Sequence, residues 1–146
     1  MALTKAAGYR FALGQHSGVA HPTMNDFYIP RFAINESYGD MARFRLVLNA
    51  LPIAATDVTP EDPAVIQTNP PNLGFTLAGD AQRANRLTCY ASSEGRVKVE
   101  TLGDRRVEVR FTKPLPAGRA SRVNCTMPGP DGRWRWFGTA FYVPKR

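Results

Sequence analysis

Apolar and polar positions alternate most regularly over Arg122–Met127. Val123, Cys125 and Met127 fall on one face, Arg122, Asn124 and Thr126 on the other. A period of two predicts a strand with one buried face. Pro128-Gly129-Pro130-Asp131-Gly132 follows with turn chemistry, since proline presets φ and glycine accepts positive φ. The return run, Trp134–Val143, is apolar or aromatic at most positions on both faces, which predicts a strand covered on both sides or one whose outer face binds something. Further strands are expected over Leu73–Leu77, Arg86–Ala91, Arg96–Thr101, Arg106–Thr112, Arg119–Met127 and Arg133–Val143. Leu102-Gly103-Asp104 should close a hairpin, and Pro114–Gly118 should form another turn. Short strands at this spacing predict an immunoglobulin-like β-sandwich over residues 73–146.

The first 52 residues have a different pattern. Ala2–Ala7 reads as the last turns of a helix, with Gly8 as its stop. Tyr9, Phe11 and Leu13 then alternate as in a strand, leading into the polar loop Gly14–Gly18. Tyr28–Ile34 is a second extended piece, broken by Pro30. After the N-cap Asp40, apolar residues recur at helical spacing (Met41, Phe44, Val47/Leu48, Leu51), and Pro52 should stop that helix. Helices and strands in this order belong to an α/β layer, yet the strands are too few to build its sheet. Residues 1–52 are therefore expected to be the tail of a larger α/β domain. Residues 53–72, with Pro60, Pro63, Pro70 and Pro71, read as a proline-rich linker. The expected fold class is mainly β: an immunoglobulin-like sandwich preceded by a partial α/β, barrel-end segment.

Composition narrows the functions. With 43% hydrophobic and 10% aromatic residues the chain can bury a core. The net charge of +7 is spread out, with Arg105-Arg106 and Arg133/Arg135 its densest clusters and no run of five basic residues. That favours a solvated surface over a nucleic-acid interface. No apolar run is long enough to span a membrane, and Met1–Gly8 lacks the apolar core of a secretion signal. Cys89 is in phase with Leu87 and Ala91, and Cys125 with Val123 and Met127, so both should point inward. A disulfide or two packed free thiols would satisfy that placement equally.

Candidate chemistry is sparse. His16 and His21 are the only histidines, five residues apart in a loop with few carboxylates near, and they do not make a metal site. His16 could serve as an acid, a base or a substrate contact at a strand end; hydrogen bonding to backbone is its plainer role. Ser17 beside it lacks the setting of a nucleophile. Trp134, Trp136, Phe137, Phe141 and Tyr142, flanked by Arg133 and Arg135, offer either a platform for sugar rings or a packed core.

Several ordered segments resemble the C-terminal part of bacterial polysaccharide deacetylases. Gly8–Val19, Tyr28–Gly39 and Phe44–Pro52 are similar to the end of the catalytic barrel, with Ile29-Pro30-Arg31-Phe32 resembling a Leu-Pro-Arg piece near that end. Asn124-Cys125-Thr126-Met127-Pro128 and Arg133-Trp134-Arg135-Trp136-Phe137-Gly138 resemble the β-sandwich that follows the barrel in one branch. The resemblance implies removal of acetyl groups from a glycan by a divalent metal, usually zinc, held by one Asp and two His with a second Asp as base. It places Gln15, His16 and Ser17 at the barrel mouth, with His16 as a catalytic candidate. It adds Arg31, Trp134 and Trp136 as glycan contacts. The Asp-Asp and paired-His motifs that hold the metal have no counterpart here, so no cofactor is expected in this chain. Alone it is expected to hydrolyse nothing, and a missing catalytic half would be its partner. Periplasmic or extracellular placement is implied for the parent protein. A non-catalytic carbohydrate-binding or adaptor module is the alternative.

Overall fold

The computed structural model describes residues 1–64, 68–79 and 84–145. The chain is mainly β, built on one curled eight-stranded sheet. The strands are β1 (Leu51–Pro52), β2 (Ala55–Thr59), β3 (Leu73–Leu77), β4 (Thr88–Ala91), β5 (Gly95–Leu102), β6 (Arg106–Arg110), β7 (Ala120–Pro128) and β8 (Trp134–Tyr142). Their order across the sheet is β1-β8-β7-β4-β5-β6-β3-β2. All neighbours are antiparallel except β1 and β8. The sheet turns at β5, whose first residues pair with β4 (Cys89 opposite Val97) and whose later ones pair with β6 (Val99 opposite Val109). The curl brings Phe75 of β3 onto Phe137 of β8, ring centres 4.6 Å apart, although these strands lie toward opposite ends of the order.

Alternation fills the space inside the curl. Val123, Cys125 and Met127 of β7 are buried, as are Val107 and Val109 of β6, while their neighbours along each strand are more open. Leu73, Phe75 and Leu77 of β3, Val97 and Phe141 complete the core. Cys89 and Cys125 face each other across the β4–β7 ladder and form a disulfide, which joins adjacent strands of one sheet. Gly103 takes φ +64° in the β5–β6 hairpin, a conformation glycine adopts without steric cost.

Residues 1–52 depart from the expected α/β layer. They contain α1 (Ala2–Ala6), α2 (Met41–Leu48) and the two residues of β1, but no sheet of their own. Gly8 follows α1 with φ +84°, as its stop role requires. Tyr9–Leu13 is not a strand: it touches Tyr28–Ile34 through a single parallel bridge, Leu13 to Ile29. Its alternating apolar residues lack a neighbouring strand to pair with and stay exposed. Asp40 caps α2 by accepting the Arg43 amide at 2.9 Å. The helix ends at Leu48, where the Asn49 side chain donates to the Arg45 carbonyl, so Pro52 is not its stop and lies in β1 instead.

The segment read as a linker is also corrected. Ile53 is buried in the core, and β2 pairs with β3 across an irregular register between Thr56 and Thr59. Arg106 secures this edge, donating to the Asp57 carbonyl at 2.7 Å and the Thr59 hydroxyl at 2.8 Å while pairing with Glu108. The sheet contact thus overrides the prolines that punctuate this stretch. Residues 65–67 of it lie outside the described residues.

Residues 15–32 lie across the outer face of β8. The Ser17 carbonyl sits on Gly138, Phe32 meets Trp136 edge-on at 5.1 Å, and the Tyr28 hydroxyl donates to the Ala140 carbonyl at 3.2 Å. The Arg122 guanidinium donates to the Gln15 carbonyl at 2.8 Å. The central part of β8 is therefore covered on both faces, which accounts for its apolar residues on both faces.

Candidate functional site

Where this cover meets the edge of the sheet it leaves an open cavity of about 670 Å³. Its walls come from Met1 and three further stretches of chain: the loop from His16 to Pro30, the segment Ile53–Pro63, and Trp136–Thr139 of β8. The β2 segment reaches the cavity because β2 pairs with β3 and is clamped by Arg106; the loop reaches it because Ser17 and Tyr28 dock on β8.

His16 is the most deeply placed polar group of this wall, only 4% exposed. It stacks on Tyr28, ring centres 4.2 Å apart and 25° between planes. It also presses on Gly14, where a Cβ would stand 2.5 Å from its Nδ1. Burial lowers its pKa to about 4, so the imidazole is neutral at physiological pH. Among the described residues Nδ1 has no hydrogen-bond partner and no carboxylate bonds to the ring. A general base is normally tuned toward the working pH and oriented by a second group. His16 has neither feature and is equipped as a neutral hydrogen-bonding contact.

Around it the cavity presents an aromatic wall and polar groups. The Trp136 indole donates to the Asn124 side-chain oxygen at 3.2 Å, which fixes the plane of the ring. His21 shares a 3.0 Å hydrogen bond with the Thr23 hydroxyl. Asn25, Asp57, Glu61 and Thr139 supply further donors and acceptors. Rings beside hydroxyl, amide and carboxylate groups suit a ligand with many hydrogen-bonding groups and apolar faces. Among the described residues no group of three His, Cys, Asp or Glu side chains could hold a metal ion.

The candidates from the sequence divide. His16 and Trp136 line the cavity together. Gln15 and Arg31 pair outside it, the guanidinium donating to Gln15 Oε1 at 3.0 Å and to the Gly14 carbonyl. Ser17 contributes its backbone to the β8 contact, and Trp134 is 43% exposed at the start of β8, away from the cavity. Sequence reasoning missed Tyr28, Asp57 and Glu61. Tyr28 was visible beside Ile29-Pro30, whereas the acidic pair lay in the stretch taken for a linker.

Compared with known proteins, the chain matches no family model and no curated protein. Among the described residues, no helix is long and apolar enough to cross a membrane.

Proposed function

We propose that this chain is the C-terminal part of a polysaccharide deacetylase, binding a glycan in the cavity beside β8 and depending on a separate catalytic half for acetyl removal. The observation that carries the reading is the uncovered apolar side of residues 1–52. Tyr9, Phe11 and Leu13 are each at least 60% exposed, and α2 buries none of its residues despite Met41, Phe44, Leu46 and Leu48. Apolar patterning of this extent fits elements meant to pack against others, here the remaining strands and helices of a barrel. The immunoglobulin-like description belongs to the same proposal, as a finer account of the curled sheet.

The residues present do not fit the family's divalent metal, so its ligands would lie in the other half. Within this chain His16 and Trp136 would hold sugar: neutral imidazole to hydroxyl or acetamido group, indole to the apolar ring face. The alternative, a free-standing carbohydrate-binding module, draws on the exposed Trp134 as well.

Calorimetry with acetylated chito-oligomers, alongside an acetate-release assay with zinc, tests both. Binding without acetate release, weakened at least about tenfold by Trp136→Ala, is expected. Acetate release by this chain alone would overturn the missing-half claim. The native product, detected with an antibody to β8, separates the two readings. A band well above 16.1 kDa supports the deacetylase. A band at that mass with no co-purifying catalytic chain favours the module.

A further inference from the structure

A second cavity, of about 400 Å³, opens where β7 begins. It is lined by Ser92, Ser93, Pro116, Arg119, Ala120, Ser121 and Arg122. The turn after β4 and the turn before β7 meet there because the Ser92 amide donates to the Arg122 carbonyl, and the Arg122 amide returns a 3.0 Å bond to the Ser92 hydroxyl.

We propose that this cavity binds an oxyanion: a carboxylate, sulfate or phosphate group. Its side chains supply donors and positive charge, and among the described residues no carboxylate lines it. The Ser92 hydroxyl already accepts the Arg122 amide, which leaves its own proton to give. Ser93 Oγ is buried and, among the described residues, has no hydrogen-bond partner, an arrangement that costs free energy. Ser121 is only 2% exposed. The Arg122 guanidinium spends one donor on the Gln15 carbonyl, a neutral acceptor, and among the described residues it has no carboxylate partner. Arg119, an exposed residue, lines it too, and the Lys145 stem packs over the neighbouring Gly118. Two arginines and three serines line the cavity, a donor surplus of the kind that oxyanions require. This site stands apart from the β8 cavity and does not rest on the deacetylase reading.

The test is an amide-shift titration of the full chain with sodium phosphate, sodium sulfate, galacturonate and, as neutral control, galactose, at constant ionic strength in chloride. The expected result is saturable shifts at Ser92, Ser93, Ser121 and Arg122 with the oxyanions and none with galactose. Arg119→Gln should weaken the binding about tenfold without changing the rest of the spectrum. Ser93→Ala, a smaller change, should weaken it about threefold and guards against misfolding of the arginine variant. Binding of galacturonate as well as the inorganic anions supports the proposal with an acidic sugar as source. Binding of phosphate and sulfate alone supports it with a free tetrahedral anion as source. Unsaturable shifts with every anion, or saturable shifts that both variants leave unchanged, would overturn it.

Discussion

Gly138→Ala is the most direct probe of how the cover on β8 builds the cavity. A Cβ at Gly138 would overlap the Ser17 carbonyl oxygen and lie 3.0 Å from its carbon. Both obstacles are backbone and cannot rotate aside, so the loop through Ser17 must lift. Overpacking of this kind costs about 1–3 kcal/mol. Lifting the loop also returns His16 to water, and its pKa should climb from about 4 toward the ordinary 6.5. The sign follows from proton binding. Between pH 6.5 and 4 the unfolded chain holds a proton on His16 that the folded chain refuses, so wild-type stability falls as pH is lowered through this window. The loss amounts to about 3 kcal/mol by pH 4 and then levels off. In Gly138→Ala this pH slope should flatten. Denaturant unfolding at half-unit pH steps reads the slope, and the imidazole Cε1 proton resonance, assigned by comparison with His16→Gln, reads the pKa. A variant that keeps both the wild-type slope and a titration near 4 would refute the claim that Ser17 on Gly138 holds His16 in place.

Three other perturbations test separate parts of the sheet. Replacing Cys89 and Cys125 together by alanine removes a link across 36 residues and should lower unfolding free energy by about 4 kcal/mol in the chain-entropy account, measured with denaturant. Gly74→Ala places a Cβ 2.5 Å from Glu108 Oε1 and against the Arg106 guanidinium; losing the Arg106 clamp should cost about 1–3 kcal/mol and speed amide exchange in β2, and unchanged exchange there would argue against the clamp. Glu100, bonded first by Lys98 and then by Arg110, has its pKa lowered to about 2. It favours the folded state above its ordinary range near pH 4.5 and loses that effect as pH falls toward 2. Its carboxyl carbon resonance should show the low midpoint, and Lys98→Ala should raise it.

The strands of the second half were legible because each depends on local alternation. Leu73–Leu77 matches its expected bounds, and β7 and β8 differ from theirs by a residue at each end. What the sequence withheld depends on partners distant in the chain. Tyr9, Phe11 and Leu13 alternate as well as any strand, but period two becomes a strand only when another edge is there to bond it. β2 was hidden for the opposite reason. Its prolines flank it, Asp57 sits at φ +49°, and what holds it is Arg106, far along the chain. The cysteines could be placed on inward faces, yet whether they bond depends on the β4–β7 register that sets them opposite each other.

The same reasoning explains why the cavity could be half seen. Trp136 and His16 each carry a local signal, an aromatic in a strand and a histidine in a glycine-flanked loop. Their meeting is decided by the outer face of β8. At Gly138 this strand has no side chain, and at Ala140 only a methyl group. The gap admits the Ser17 backbone and the Tyr28 hydroxyl between the bulky Trp136 and Tyr142. A half-buried strand would carry polar residues at those two positions. The small residues mark instead a seat for other backbone, and the lack of alternation at Trp134–Tyr142 records that double burial. Once the loop is seated, His16 is carried into the wall and loses its water, and the sheet edge beside it stays open. The cavity is therefore a consequence of how β8 is covered. Substitutions at Gly138 or Ala140, which contribute little or no side chain to it, should disturb its shape as strongly as those at His16 or Trp136.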